Sequence, residues 1–143
     1  MQWGKMFQRR VMHGDITLIH GDFHLLGSLF ISRTTEDIRI IDWADCKPGL
    51  GPHDIAYCLI SADADDRLVR DTYLLRRYHH RLLELGISGY GWDQCLWDYR
   101  FSLLTNLLQC VLQQSLGWFR KTMEIIRAWR SAELFSPPSQ IRD

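Results

Sequence analysis

Two carboxylates, Asp22 and Asp42, close apolar, strand-like runs, Leu18-Ile19-His20-Gly21-Asp22 and Ile40-Ile41-Asp42-Trp43. Such a pair can hold a metal ion and a phosphate. Phosphoryl transfer asks little covalent chemistry of a protein: a carboxylate to orient the acceptor hydroxyl, and oxygen ligands for the metal ions that bridge the phosphates. Asp22 and Asp42 are the natural candidates. The tripeptide His-Gly-Asp carries little alone, since His13-Gly14-Asp15 repeats it without the following context.

The combination carries more. His20-Gly21-Asp22-Phe23-His24, then Leu29-Phe30, Ile41-Asp42-Trp43 and Gly51-Pro52-His53-Asp54-Ile55-Ala56 follow one another in an order that resembles the aminoglycoside phosphotransferase and choline kinase family. The resemblance covers nearly the whole chain, but it is to the second half of such a kinase. It implies that Asp22 is the catalytic Asp that orients and deprotonates the acceptor, and that Asp42 binds magnesium at the nucleotide phosphates. It further implies that Leu29 and Ile41 floor the nucleotide site, that His20 braces the loop, and that Asp54 caps a helix and steadies that loop. Magnesium and ATP are the implied cofactors, with a small-molecule hydroxyl as acceptor.

One position departs from the pattern: Gly27 stands where the family has an Asn whose amide oxygen is a magnesium ligand. Ser28 is adjacent but points differently, and His24 is a poor substitute because magnesium takes oxygen donors. The family also grips ATP with an N-terminal lobe, a flexible loop and a Lys–Glu pair. Here residues 1–15 offer Lys5 alone and no Gly-rich loop. The expectation is an isolated C-terminal lobe, from a truncated gene, a misassigned start or one piece of a split protein served by an N-lobe in trans, that binds ATP weakly or not at all and is inactive by itself.

Two other classes compete. A kinase-like binding or scaffold protein without catalysis is favoured by Gly27 and the absent lobe. A metal-dependent hydrolase would use His20, Asp22, His24, Asp42, His53 and Asp54 as its ligand cluster. For the acceptor, Asp63, Asp65, Asp66, Asp93 and Asp98 are acids that could meet a cationic amine, and Tyr90, Trp92, Trp97 and Tyr99 could wall a choline-like cation or a sugar.

The elements that must position these groups are legible in outline. The expected class is α+β: a small hairpin-like sheet from 16–20, 28–32 and 38–41 carries the catalytic loops and packs on a mainly helical bundle. Lys47-Pro48-Gly49-Leu50-Gly51-Pro52 reads as loop. Asp54 reads as the N-cap of a first helix. A second helix is opened by Asp63–Asp66, carries the stripe Leu68, Thr72, Leu75, His79 and Leu82, and ends at Gly86. A third runs from near Trp92 to Leu116, with Cys95, Tyr99, Leu103, Leu107, Val111 and Gln114 on or near one face, and is broken by Gly117. The last, 118–134, turns Met123, Ile126 and Trp129 inward and Lys121, Glu124 and Ser131 outward.

Composition sets the outer bounds. With 143 residues, 46% of them hydrophobic, one core is expected: a single domain with 1–15 a linker or helix remnant, 16–53 the catalytic and metal-binding loops, 54–135 the helices and 136–143 a tail. The 17 basic and 17 acidic residues cancel, so no nucleic acid or membrane partner is indicated. Four cysteines without a Cys-x-x-Cys pair, and no apolar leader or span, point to a reduced, cytoplasmic protein.

Overall fold

The structure, a computed structural model, describes residues 2–12, 15–35, 37–62 and 66–135. The expected acceptor acids Asp63 and Asp65, and the tail from 136, lie outside the described residues. Within them the chain is α+β, with five α-helices and two small antiparallel sheets.

The strands form two separate pairs rather than one hairpin-like sheet. β1 (Thr17–Ile19) pairs with β4 (Lys47–Gly49), and β2 (Leu29–Ile31) with β3 (Ile38–Ile40). The segment 47–49, expected as loop, is therefore a strand. Pro48 is tolerated because β4 is an edge strand that needs backbone donors on one side only. Ile19, Gly49 and Leu50 go inward from this pair, so it is anchored, whereas every β3 residue is exposed.

The helices are α1 (Gln2–Val11), α2 (Pro52–Ser61), α3 (Arg67–Glu84), α4 (Trp92–Leu112) and α5 (Leu116–Ala128). Ala56, Ile60, Leu75, Cys95, Tyr99, Leu103 and Ile125, all fully buried, make the core between α2, α3, α4 and α5. Burying a Leu or Ile side chain contributes about 1.5–3 kcal/mol, so this cluster, not the sheets, stabilises the fold. α1 docks on α4 through Phe7 stacked on Phe101 and through a buried ion pair, Arg10 to Asp98, at 2.7 Å on both arms. Asp98 also accepts from the Tyr90 hydroxyl at 2.7 Å and Gln94 at 3.0 Å, so it is a structural acid and not an acceptor-site one.

α3 ends as expected: Gly86 takes φ +87°, Ile87 N–H bonds the Leu82 carbonyl, and Gly86 N–H bonds that of Leu83. Other boundaries differ. α4 stops before Gly117 because Gln114 takes the left-handed conformation and Ser115 N–H closes on the Cys110 carbonyl; Gly117 lies inside α5. Leu68 and Val111 are exposed, and Ser131, expected outward, is fully buried in a short 3-10 helix, Ser131–Phe135. Asp71, fully buried, replaces Leu68 in the inward set and takes the hydroxyl of Tyr99 and the indole N–H of Trp129. Among the described residues no helix is long and apolar enough to cross a membrane, and the four cysteines are free.

Candidate active site

The loop after β1 is built on Asp54. This residue is not a helix N-cap: α2 begins at Pro52, so Asp54 stands in its first turn and reaches out of the helix. Its Oδ2 accepts the backbone N–H of His20 at 2.6 Å, and its Oδ1 that of Gly21 at 3.0 Å. Both carboxylate oxygens are thereby spent on one bend of the chain. That bend requires glycine twice over, since Gly21 has φ +86° and a Cβ there would collide with the backbone carbonyl of Asp45.

His20 ties the two loops together. Its Nε2 lies 2.8 Å from the Ile41 carbonyl, an acceptor only, so the proton sits on Nε2 and Nδ1 is left to accept the Asp22 N–H at 3.4 Å. The ring, 2% exposed, packs against Trp43 and Phe23. One imidazole therefore bridges the backbone of Asp22 to the residue preceding Asp42.

Asp22 is fixed from its other side as well. The Ser28 hydroxyl donates to the Asp22 carbonyl at 2.7 Å and accepts the His24 N–H at 3.1 Å. Ser28 is thus a staple across the loop, and its hydroxyl is not directed outward as a ligand. The Asp22 carboxylate, in contrast, is largely unengaged: Oδ1 is buried without a hydrogen-bond partner among the described residues, and Oδ2 lies 3.9 Å from His24 Nε2. The Tyr57 hydroxyl lies beside it. Burial first, and the neighbouring Asp22 second, push the Tyr57 phenol well above its ordinary range, and Tyr57 donates to Gln113 Oε1 at 3.4 Å.

Gly27 changes what fills this corner. The imidazole of His24 leans into the space a side chain at 27 would need, with its Cε1 2.5 Å and its Nε2 2.9 Å from where a Cβ would be. The ring is walled by Tyr57 and Trp118. Gly27 marks the missing Asn in the sequence, whereas the His24 ring that takes up its volume is visible only in the packing.

Asp42 sits in the left-handed region at φ 64°, ψ 56°, where Asp is among the few residues tolerated. It is exposed, makes no side-chain hydrogen bond among the described residues, and is followed by a short 3-10 helix, Trp43–Asp45. Strained backbone of this kind costs about 1–3 kcal/mol and clusters at ligand sites. Leu29 is half-buried in β2, and Ile41, 43% exposed, donates its N–H to the Ser28 carbonyl. The residues here do not fit the two-ligand magnesium cradle the sequence resemblance implied: Asp42 is present, Gly27 offers no oxygen, and Ser28 is committed elsewhere.

The six expected hydrolase ligands do not converge either. His20 and Asp54 are spent on backbone groups, and His53 turns Nδ1 toward Thr105 at 3.3 Å. Among the described residues no group of three His, Cys, Asp or Glu side chains is arranged to hold a metal ion. The aromatic wall is dispersed too: Tyr90 bonds Asp98, Trp92 lies under Arg76, Trp97 stacks on Phe101, and Tyr99 packs on Trp129.

The family model described as phosphotransferase enzyme family matches residues 2–95, well over half of the chain. The chain belongs to that family. No curated protein and no solved structure matches it.

Proposed function

We propose that this chain carries the acceptor-activating half of a small-molecule phosphotransferase, with Asp22 as its catalytic carboxylate. The carrying observation is that Asp22 is held by its backbone from both sides, by His20 and Ser28, while its Oδ1 has no partner among the described residues. A half-buried acid fixed in place, with one buried oxygen left without a partner among the described residues, is poised for a ligand. In this reading the acceptor hydroxyl gives its proton to Asp22 as its oxygen bonds the γ-phosphorus of ATP, and the bridging phosphorus–oxygen bond breaks to release ADP. His20 and Asp54 act by position, keeping the loop in register with Ile41 and Asp42. Leu29 and Ile41 floor the nucleotide site.

Asp42 is the side chain we assign to a magnesium–nucleotide complex, as a single protein ligand. The loss of its partner at Gly27 predicts weak nucleotide binding by this chain, no tighter than about millimolar, or about −4 kcal/mol. Calorimetric titration with magnesium–ATP checks this, and a micromolar affinity would overturn it. A kinase-like binding protein without turnover is the second reading, favoured by the His24 ring in the space of the lost amide. Phosphoryl transfer that disappears in Asp22→Ala would exclude it.

A further inference from the structure

A cavity of about 520 Å³ opens between α1, the β1–β4 pair and α4, within the volume range of small-molecule sites. Phe7, Ile19, Leu50 and Leu108 give it an apolar lining, and Thr105 in α4 and Gln113 at its C-terminal cap bring polar groups. It adjoins the Asp22 loop at two points. The Gly21 backbone lies against Asp45 and Lys47, which form one wall, and Gln113 on the opposite wall accepts from the Tyr57 hydroxyl that lies beside Asp22.

Charge decides what it suits. The lining holds one acid, Asp45, and one base, Lys47, which offset each other. His53 also lines it, and burial lowers its pKa to about 4, so the ring is neutral at pH 7. The acids that would recognise an amine are elsewhere: Asp98 is buried against Arg10, and Asp93 lies in a separate cleft beside Arg9 and Arg10. An ammonium entering this cavity would lose hydration and meet a single lining carboxylate, Asp45, whose charge Lys47 offsets, against a mostly apolar lining.

Resting on the phosphotransferase reading, we infer that this cavity seats the body of the acceptor, and that the acceptor is an uncharged alcohol with an apolar frame, not a cationic amino alcohol. The polar groups along α4 orient its hydroxyls while Phe7, Ile19, Leu50 and Leu108 cover its carbon skeleton.

The test is an amide-resonance titration of the full chain, without nucleotide, using phenylethanol and choline as probes. Phenylethanol is expected to shift Gly49, Leu50, His53 and Leu108, with at least tenfold weaker binding in Leu108→Glu and in Leu112→Glu. Both positions are more than half exposed, so the fold tolerates the charge, and a dispersed spectrum verifies it. Choline is expected to leave these amides unmoved. Preference for choline, absence of shifts at the cavity with phenylethanol, or indifference to both variants would overturn the assignment. Because no phosphoryl transfer is involved, failure of the Asp22 mechanism would leave this result standing, and failure here would leave that mechanism untouched.

Discussion

Asp71 and Asp98 in the helical core and Asp22 and Asp42 at the sheet edge are the same residue type under opposite treatment. Asp98 is fully buried with both oxygens bonded by Arg10 and further served by Tyr90 and Gln94; Asp71 takes Arg70, Tyr99 and Trp129. Among the described residues Asp22 Oδ1 has no hydrogen-bond partner, and Asp42, in a strained conformation, makes no side-chain hydrogen bond. A buried unsatisfied carboxylate oxygen costs about 1–3 kcal/mol or more. Asp54 lies between the two groups, a fully bonded acid whose entire output is the geometry of the Asp22 loop.

The comparison is broken most forcefully from the core side. Asp98→Ala leaves the Arg10 guanidinium buried without its main partner, and is expected to cost about 3–5 kcal/mol in urea unfolding. Replacing both together, Arg10→Met with Asp98→Leu, should recover most of that loss, since well-packed apolar residues substitute for buried ion pairs. A loss below about 1 kcal/mol for the single variant would show that α1 is not docked as described.

The next effect is on pH. His53 is held neutral because burial, only partly opposed by Asp54, lowers its pKa to about 4 from 6.5. The unfolded chain binds a proton at about pH 6.5 that the folded chain refuses until about pH 4. The stability it contributes is therefore complete above pH 6.5 and is lost as pH falls toward 4, on the order of 3 kcal/mol. His53→Gln should flatten the stability profile across that window; an unchanged slope would remove His53 as its source.

A smaller effect sharpens the comparison at the site itself. Asp54→Ala removes the acceptor for two backbone N–H groups, with an expected cost of about 2 kcal/mol. Hydrogen exchange should quicken at His20 and Gly21 while the core amides of α4 stay protected. Uniform loss of protection would mean that the loop and the core are one cooperative unit.

What the sequence made legible follows from distance along the chain. His20, Asp22, Asp42 and Asp54 sit in short strings whose local order sets their placement, and the structure brings the His20–Asp22 loop, Ile41 and Asp54 together through backbone bonds. The helical period of α3 is legible over Thr72, Leu75, His79 and Leu82 but not at Leu68, which is exposed. The illegible parts depend on partners far away or on small rearrangements. Arg10 and Asp98 are 88 residues apart. Lys47-Pro48-Gly49 has loop composition and becomes a strand only because β1 lies beside it. Gln114, not Gly117, ends α4, because the αL cap accepts a non-glycine when its two closing hydrogen bonds form. The His24 ring beside Gly27 is a packing consequence that no pattern encodes.

The central claim is that Asp22 remains competent while the metal side of the site lost a ligand at Gly27. Magnesium-dependent ATP turnover, with the N-lobe of a related kinase supplied in each case, by the chain, by Gly27→Asn combined with His24→Ala to clear the space, and by that double variant carrying Asp22→Ala, tests it most directly. The double variant is expected to exceed the parent by at least tenfold, and the triple variant to fall back to background. Turnover that ignores Asp22, or a parent chain as active as the double variant, would contradict the account.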